Sequence, residues 1–135
     1  MSAFTDYLED KLLRATLCGE PYTPPTKLYI ALFTSPTYDL TGSGDEVLGN
    51  GYARIRVTFA VPAQDVDGDY QCVNDTDLRS PSPSTAAWGT ITHFAIHDAL
   101  TGGNRLYHGP LTTPRTIDVN DLFFIQTGDL KVKLS

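Results

Sequence analysis

The run HFAIHD, residues 93–98, sets His93, His97 and Asp98 within six positions of one another. Those residue types bind zinc, or form a hydroxyl–imidazole–carboxylate relay, when the backbone lets them converge. The surrounding TITHFAIHD has the β-branched and aromatic content of a strand, so side chains alternate. Thr92, Phe94 and Ile96 are expected on one face, and Ile91, His93, Ala95 and His97 on the other. At a rise of roughly 3.3 Å per residue the two histidine Cα atoms stand about 13 Å apart. That is too far to share one zinc ion, whose nitrogen ligands sit about 2 Å from the metal. Asp98, next to His97, points to the opposite face and cannot orient the ring. A GxSxG elbow is absent, and the nearest string, TGSGD at 41–45, lacks a strand–turn–helix context. His93 and His97 are therefore expected as half-exposed side chains on a solvent face or at a subunit contact, with a pH-responsive contact open because imidazole titrates near neutrality.

Other polar clusters are weaker. DVDGD, 65–69, spaces Asp65, Asp67 and Asp69 like the start of a calcium loop, but its glycine precedes the third aspartate and the twelfth position is Thr76, where a bidentate glutamate is needed. An EF-hand is excluded, and a weak surface calcium site helped by Asp75 or Asp77 stays open beside a plain solvated turn. GSGDEVLGNG lacks GxGxxG spacing and leads into no helix, so nucleotide binding is unsupported. Trp88, Tyr107, Tyr52, Phe123 and Phe124 could stack on a sugar, yet a core of this size needs as many aromatics for filling.

The elements that would position these residues are mostly strands. One helix is expected over about 4–17, with Leu8, Leu12 and Ala15 on one stripe, Asp6, Glu9 and Asp10 early, and Gly19 as its stop. It either caps the core or docks on a partner. LYIALFT, 28–34, is apolar on both faces, as a central strand is, whereas YARIRVTF, 52–59, alternates. In the latter, Ala53, Ile55, Val57 and Phe59 oppose Tyr52, Arg54, Arg56 and Thr58. The long loop between them, SPTYDLTGSGDEVLGNG, is of a length more often functional than idle. Further short strands are expected at 70–73, around Leu78, and at 90–98, 105–111, 116–119, 122–125 and 130–134, with turn residues between. The fold class is mainly β: an antiparallel β-sandwich of about seven to nine short strands, Ig-like or jelly-roll-like, with one N-terminal amphipathic helix. It forms a single domain over 1–135, with the helix at about 4–17 and the sandwich over about 27–135.

Bulk properties bound the function. A length of 135 residues suits one core, and a formal net charge of −6 without a basic cluster argues against nucleic acid and against anionic membrane. No apolar run approaches the ~20 residues of a membrane span. The first seventeen residues have no basic n-region or uninterrupted h-region, and are not expected to be a secretory signal. Cys18 and Cys72 are expected as reduced thiols packed like small hydrophobes.

The succession LYIALFTSPT, GNGYARIRVTF, WGTITHFAIHDALTGGNRLYHGPLTTPRTI and GDLKVKL, preceded by a helix and YTPPTKLYIAL, resembles a group of small tailed-bacteriophage structural proteins labelled phage tail fibre protein. The resemblance covers nearly the whole chain except 61–84. It implies a non-catalytic virion protein, assembled in the host bacterial cytoplasm, without cofactors. Its partners would be other virion proteins, the major capsid protein or tail proteins, and a dimer or trimer is the natural unit. A chain without repeats or heptads can form a knob but no shaft. On that ground a capsid cement or decoration role is placed ahead of a tail-fibre-associated or adaptor role, with a glycan-binding module third. Contacts would be multivalent, with Leu8, Leu12, Tyr38, Leu40, Val47, Leu48, His93 and His97 as candidates, helped by edge-strand pairing.

Overall fold

The computed structural model of the chain describes residues 3–40 and 43–133; Thr41, Gly42 and Leu134, which figure in the expectations above, lie outside them. Among the described residues ten strands and one helix follow in the order β1 (Ala3–Phe4), α1 (Asp6–Leu17), β2 (Leu28–Phe33), β3 (Ile55–Val57), β4 (Ala63–Gln64), β5 (Tyr70–Val73), β6 (Leu78–Arg79), β7 (Gly89–His97), β8 (Arg105–Ile117), β9 (Phe124–Ile125) and β10 (Lys131–Lys133). They form a five-stranded sheet in the order β1-β8-β7-β2-β3, a three-stranded sheet β10-β5-β4 and the pair β6-β9. All pairings are antiparallel. One core joins the three sheets: Ile30, Leu32, Ile55, Val57, Phe94 and Ile96 come from the largest, Val132 from the second, and Leu78 and Ile125 from the pair. The molecule is mainly β and antiparallel with an N-terminal helix, as expected.

Helix α1 starts two residues later than its periodicity suggests, because Phe4 is taken by β1, where it pairs with Tyr107 and stacks edge-on with it. Thr5 is the N-cap: its fully buried Oγ1 accepts from the Leu8 amide and also donates to the carbonyls of Arg105 (2.5 Å) and Leu106 (3.1 Å). One side chain thus starts the helix and ties it to β8. Gly19, at φ +70°, ends the helix, with the Glu20 amide bonded back to Arg14 O.

Two expected strands, 105–111 and 116–119, are one. Between His93↔Pro110 and Ile91↔Arg115 the β7–β8 register slips, one residue on β7 (Thr92) facing four on β8. Leu111 to Pro114 therefore bulge out, and Pro114, which has no N–H for the ladder, is accommodated there. The slip also changes the faces of β7: Ile91 joins Phe94 and Ile96 in the core instead of sharing the histidine face.

Candidate functional site

The register of β2, β7 and β8 places Phe33, Ala31 and Tyr29 beside His93, Ala95 and His97 in that order, and these beside Pro110, His108 and Arg105. This is the face of the large sheet turned away from the core. Ala31, Phe33 and Ala95 form their own small buried cluster there, because the chain leaving β2 folds back over them. Residues 45–47 return along the end of β2, with Thr34 N bonded to Asp45 O and Val47 N to Leu32 O, and 36–40 and 43–44 lie across the sheet. Gly44 makes the approach possible. At φ +80° it would put a Cβ 2.9 Å from Pro36 O and 3.1 Å from the Phe33 ring.

Arg105 pins this loop. Its side chain is 1% exposed and lies over the Phe33 ring, 4.9 Å from its centroid. Nη1 donates to Tyr38 O (2.9 Å), Leu40 O (3.1 Å) and Ser43 Oγ (2.8 Å), Nη2 to Ser43 O (2.8 Å), and Nε to His97 Nε2 (3.3 Å). A planar fork of fixed donors suits several carbonyls at once, where a lysine would offer a point charge.

A second buried arginine lies next to it. Arg54 grips Glu46 with Nε and Nη2 (2.9 and 3.0 Å) and caps Ala99 O and Gly102 O with Nη1, so it fastens the 98–104 turn to the same loop. Tyr52 donates to Glu46 Oε2 at 2.6 Å and accepts from Leu32 N. Burial alone would raise the Glu46 carboxyl, but Arg54 and Tyr52 bring it below the usual carboxylate range. Burial and the Glu46 carboxylate push the Tyr52 hydroxyl strongly upward. His97, 2% exposed, is pressed by burial and by Arg54 and Arg105 down to about 4, and is neutral at pH 7. Its Nδ1 has no hydrogen-bond partner among the described residues; the Gly102 backbone favours the protonated ring and is outweighed by burial and the two guanidiniums.

The remaining histidines also lie on this face. His108 sits between Asp39 Oδ1 (2.8 Å from Nε2) and Thr37 Oγ1 (3.1 Å from Nδ1). That is a hydroxyl–imidazole–carboxylate order, but Thr37 is buried and both flanking residues belong to the loop, so the arrangement fastens the loop. His93, half-buried, bonds Thr92 Oγ1 and is lowered by burial and by His108. Asp98 turns into its own bend, accepting from Asn104 N and Nδ2.

The expectation of a half-exposed pair therefore holds for His93 and fails for His97, which the loop covers. Of the other candidate contacts, Leu8 packs inside against β8, Val47 belongs to the core and Leu12 is half-buried. On α1 the outward apolar residues are Leu13 and Leu17 instead. Tyr38, Leu40 and Leu48 stand out at 60%, 69% and 84% exposure, and Leu100, on the turn held by Arg54, at 50%. Sequence reasoning missed Arg54, Arg105 and Glu46. The available signal was the two-sided apolarity of 28–33, which requires a cover on both faces of β2 and so on its neighbour β7.

Other surfaces offer less. The Asp65 carboxylate accepts from the Asp67 and Asp69 amides and pairs with Lys133, while Asp75 and Asp77 serve Thr58 and Thr127. The weak calcium site is not assembled, and no group of three or more His, Cys, Asp or Glu is placed for a metal among the described residues. Trp88 and Phe123 are core, and Cys18 is exposed instead of packed. Two edges are blunted against strand addition: beyond Tyr107 and His108, which β1 covers, β8 carries Pro110 and Pro114, and β10 carries Lys131 and Lys133. An apolar groove of about 370 Å³ between Phe59, Tyr70, Cys72 and Tyr107, and a mixed-charge one of about 710 Å³ beside Leu111–Thr113, receive none of the histidines or loop-tip residues.

A family model described as Podophage GP4 fiber I protein gp80 matches residues 3–133. A search of curated proteins finds no match.

Proposed function

Because the chain belongs to the Podophage GP4 fiber I protein gp80 family and is therefore a phage virion structural protein, we propose that it works as a tail-fibre-associated module, docked through the pinned 34–50 loop. The observation that carries this reading is the family match across residues 3–133. The placement of capsid cement ahead of the tail role rested on small size and the lack of a shaft. Both properties fit a compact module on a fibre equally well, so they do not weigh against the family.

The loop supports the docking surface. Its backbone is held by Arg105 and its Glu46 side chain by Arg54, so Tyr38, Leu40 and Leu48 are presented with little ordering left to do on binding. Residues 35–51 contain no Lys or Arg, and the nearby guanidiniums are turned inward. The surface fits an apolar pocket edged by basic groups on a neighbouring virion protein. Binding by a closed ring of copies would let each contact be weak.

The test is a phage lacking the gene, complemented in the host with wild-type or Tyr38→Ser/Leu40→Ser/Leu48→Ser protein, with particles imaged by electron microscopy. Density for the wild-type chain at the tail, lost in the triple variant, is the expected result. Density on the capsid shell, or full incorporation of the triple variant, would overturn it.

A further inference from the structure

We propose that His97 is an acid-sensitive latch for the loop segments 34–40 and 43–47: a neutral imidazole sealed beneath them between two guanidiniums, whose protonation sets them free. The geometry gives the reason. Nε2 accepts from Arg105 Nε, which is possible only while that nitrogen carries no proton, and the same arginine holds Tyr38 O, Leu40 O and Ser43. Protonation replaces an acceptor by a donor and adds a third cation beside Arg105 of β8 and Arg54 before β3. The Glu46 carboxylate and the Gly102 backbone favour the imidazolium but are outweighed by burial and the two guanidiniums. Both Glu46 oxygens are already engaged by Arg54 and Tyr52. Asp98 is turned toward Asn104, and Tyr29, opposite on β2, presents no carboxylate. Moving the loop restores solvent to the imidazolium at the cost of the Arg105 contacts, while β7 and its core face stay in place.

Acid-triggered undocking, the consequence of the latch, rests on the docking role above; the latch itself is read on the isolated chain, so the two can fail separately. Hydrogen exchange of the purified protein between pH 7 and 4.5, corrected for the intrinsic pH dependence of amide exchange, reads it directly. Amides of 34–46 are expected to open about tenfold more per pH unit below the ordinary histidine value, with β7 amides still protected. His97→Gln, which keeps an acceptor for Arg105 but cannot titrate, is expected to abolish this dependence. Constant loop protection in the wild type, loop and β7 opening together, or an unchanged response in His97→Gln would each overturn the latch. Should His97→Gln not fold, the wild-type imidazole followed by NMR decides: titration near 4 together with loop opening supports the latch, and titration near 6.5 with the loop closed sinks it.

Discussion

Arg105 and His97 show how a polar pair can sit at the base of a loop without weakening it. A buried guanidinium is tolerated when its donors are met, and here they meet three carbonyls, a hydroxyl and an imidazole. Arg105→Lys keeps the charge and loses the fork, so several carbonyls are left dry. We expect a loss of about 3 kcal/mol in urea unfolding, nearly the same as for Arg105→Leu. His97 adds a pH term of definite sign. Its folded value, about 4, lies below the ordinary 6.5 of an unfolded chain. Between these values the unfolded state takes up the proton and the folded state does not, so stability falls as pH drops from 6.5 to about 4 and then levels. The loss is on the order of 3 kcal/mol for a group this enclosed. Glu46, held below the usual carboxylate range, adds a further loss that begins as the pH falls through the ordinary 4.5 and continues below it. Unfolding midpoints of wild type and His97→Gln should therefore diverge at pH 7 to 4.5, with the variant keeping only the smaller slope that His93 contributes across that window.

At the scale of elements, the loop and the helix each hang on one small residue. Gly44→Ala brings a Cβ against Pro36 O and the Phe33 ring at a positive φ, and should cost roughly 1–3 kcal/mol, with the loss concentrated in loop hydrogen exchange. Thr5→Ala removes the cap and its two bonds to β8, a loss of about 2 kcal/mol that loosens α1 from the sheet. Far-ultraviolet circular dichroism against temperature would separate the two, since only Thr5→Ala should bring helix melting forward. The helix, β2, β5 and β7 were legible because apolar period and turn residues agree there. The bulge at 111–114 was not, because Pro114 in sequence reads as a strand break and only the pairing with β7 shows that the strand resumes. Arg54 read as a solvent-face residue of an alternating strand; the cover that buries it comes from a loop whose composition gives no sign of where it lies. Arg105, the centre of the site, opens a strand after Gly-Gly-Asn and looks like any surface arginine. Its role depends on a contact with residues more than sixty positions away, which no local pattern carries.

For the whole molecule the charge balance matters more than any pair. On the proposed docking, a chain of net charge −6 with no cation on the docking loop would be steered toward a basic acceptor by a field that salt screens over about 10 Å at 0.1 M. The apolar tips Tyr38 and Leu40 act instead once contact is made, by leaving water. The two contributions should therefore separate kinetically when purified chain rebinds to particles made without it. Raising NaCl from 50 to 500 mM is expected to slow association several-fold and leave dissociation nearly constant. Asp45→Lys, an exposed change on the loop, should slow association at low salt in the same way. Tyr38→Ser/Leu40→Ser should speed dissociation by tenfold or more with association little altered. Surface plasmon resonance on immobilised particles gives both rates. Association indifferent to salt and to Asp45→Lys would show that the acidic rim does no steering, and the acceptor would then have to be sought among apolar surfaces without basic edges.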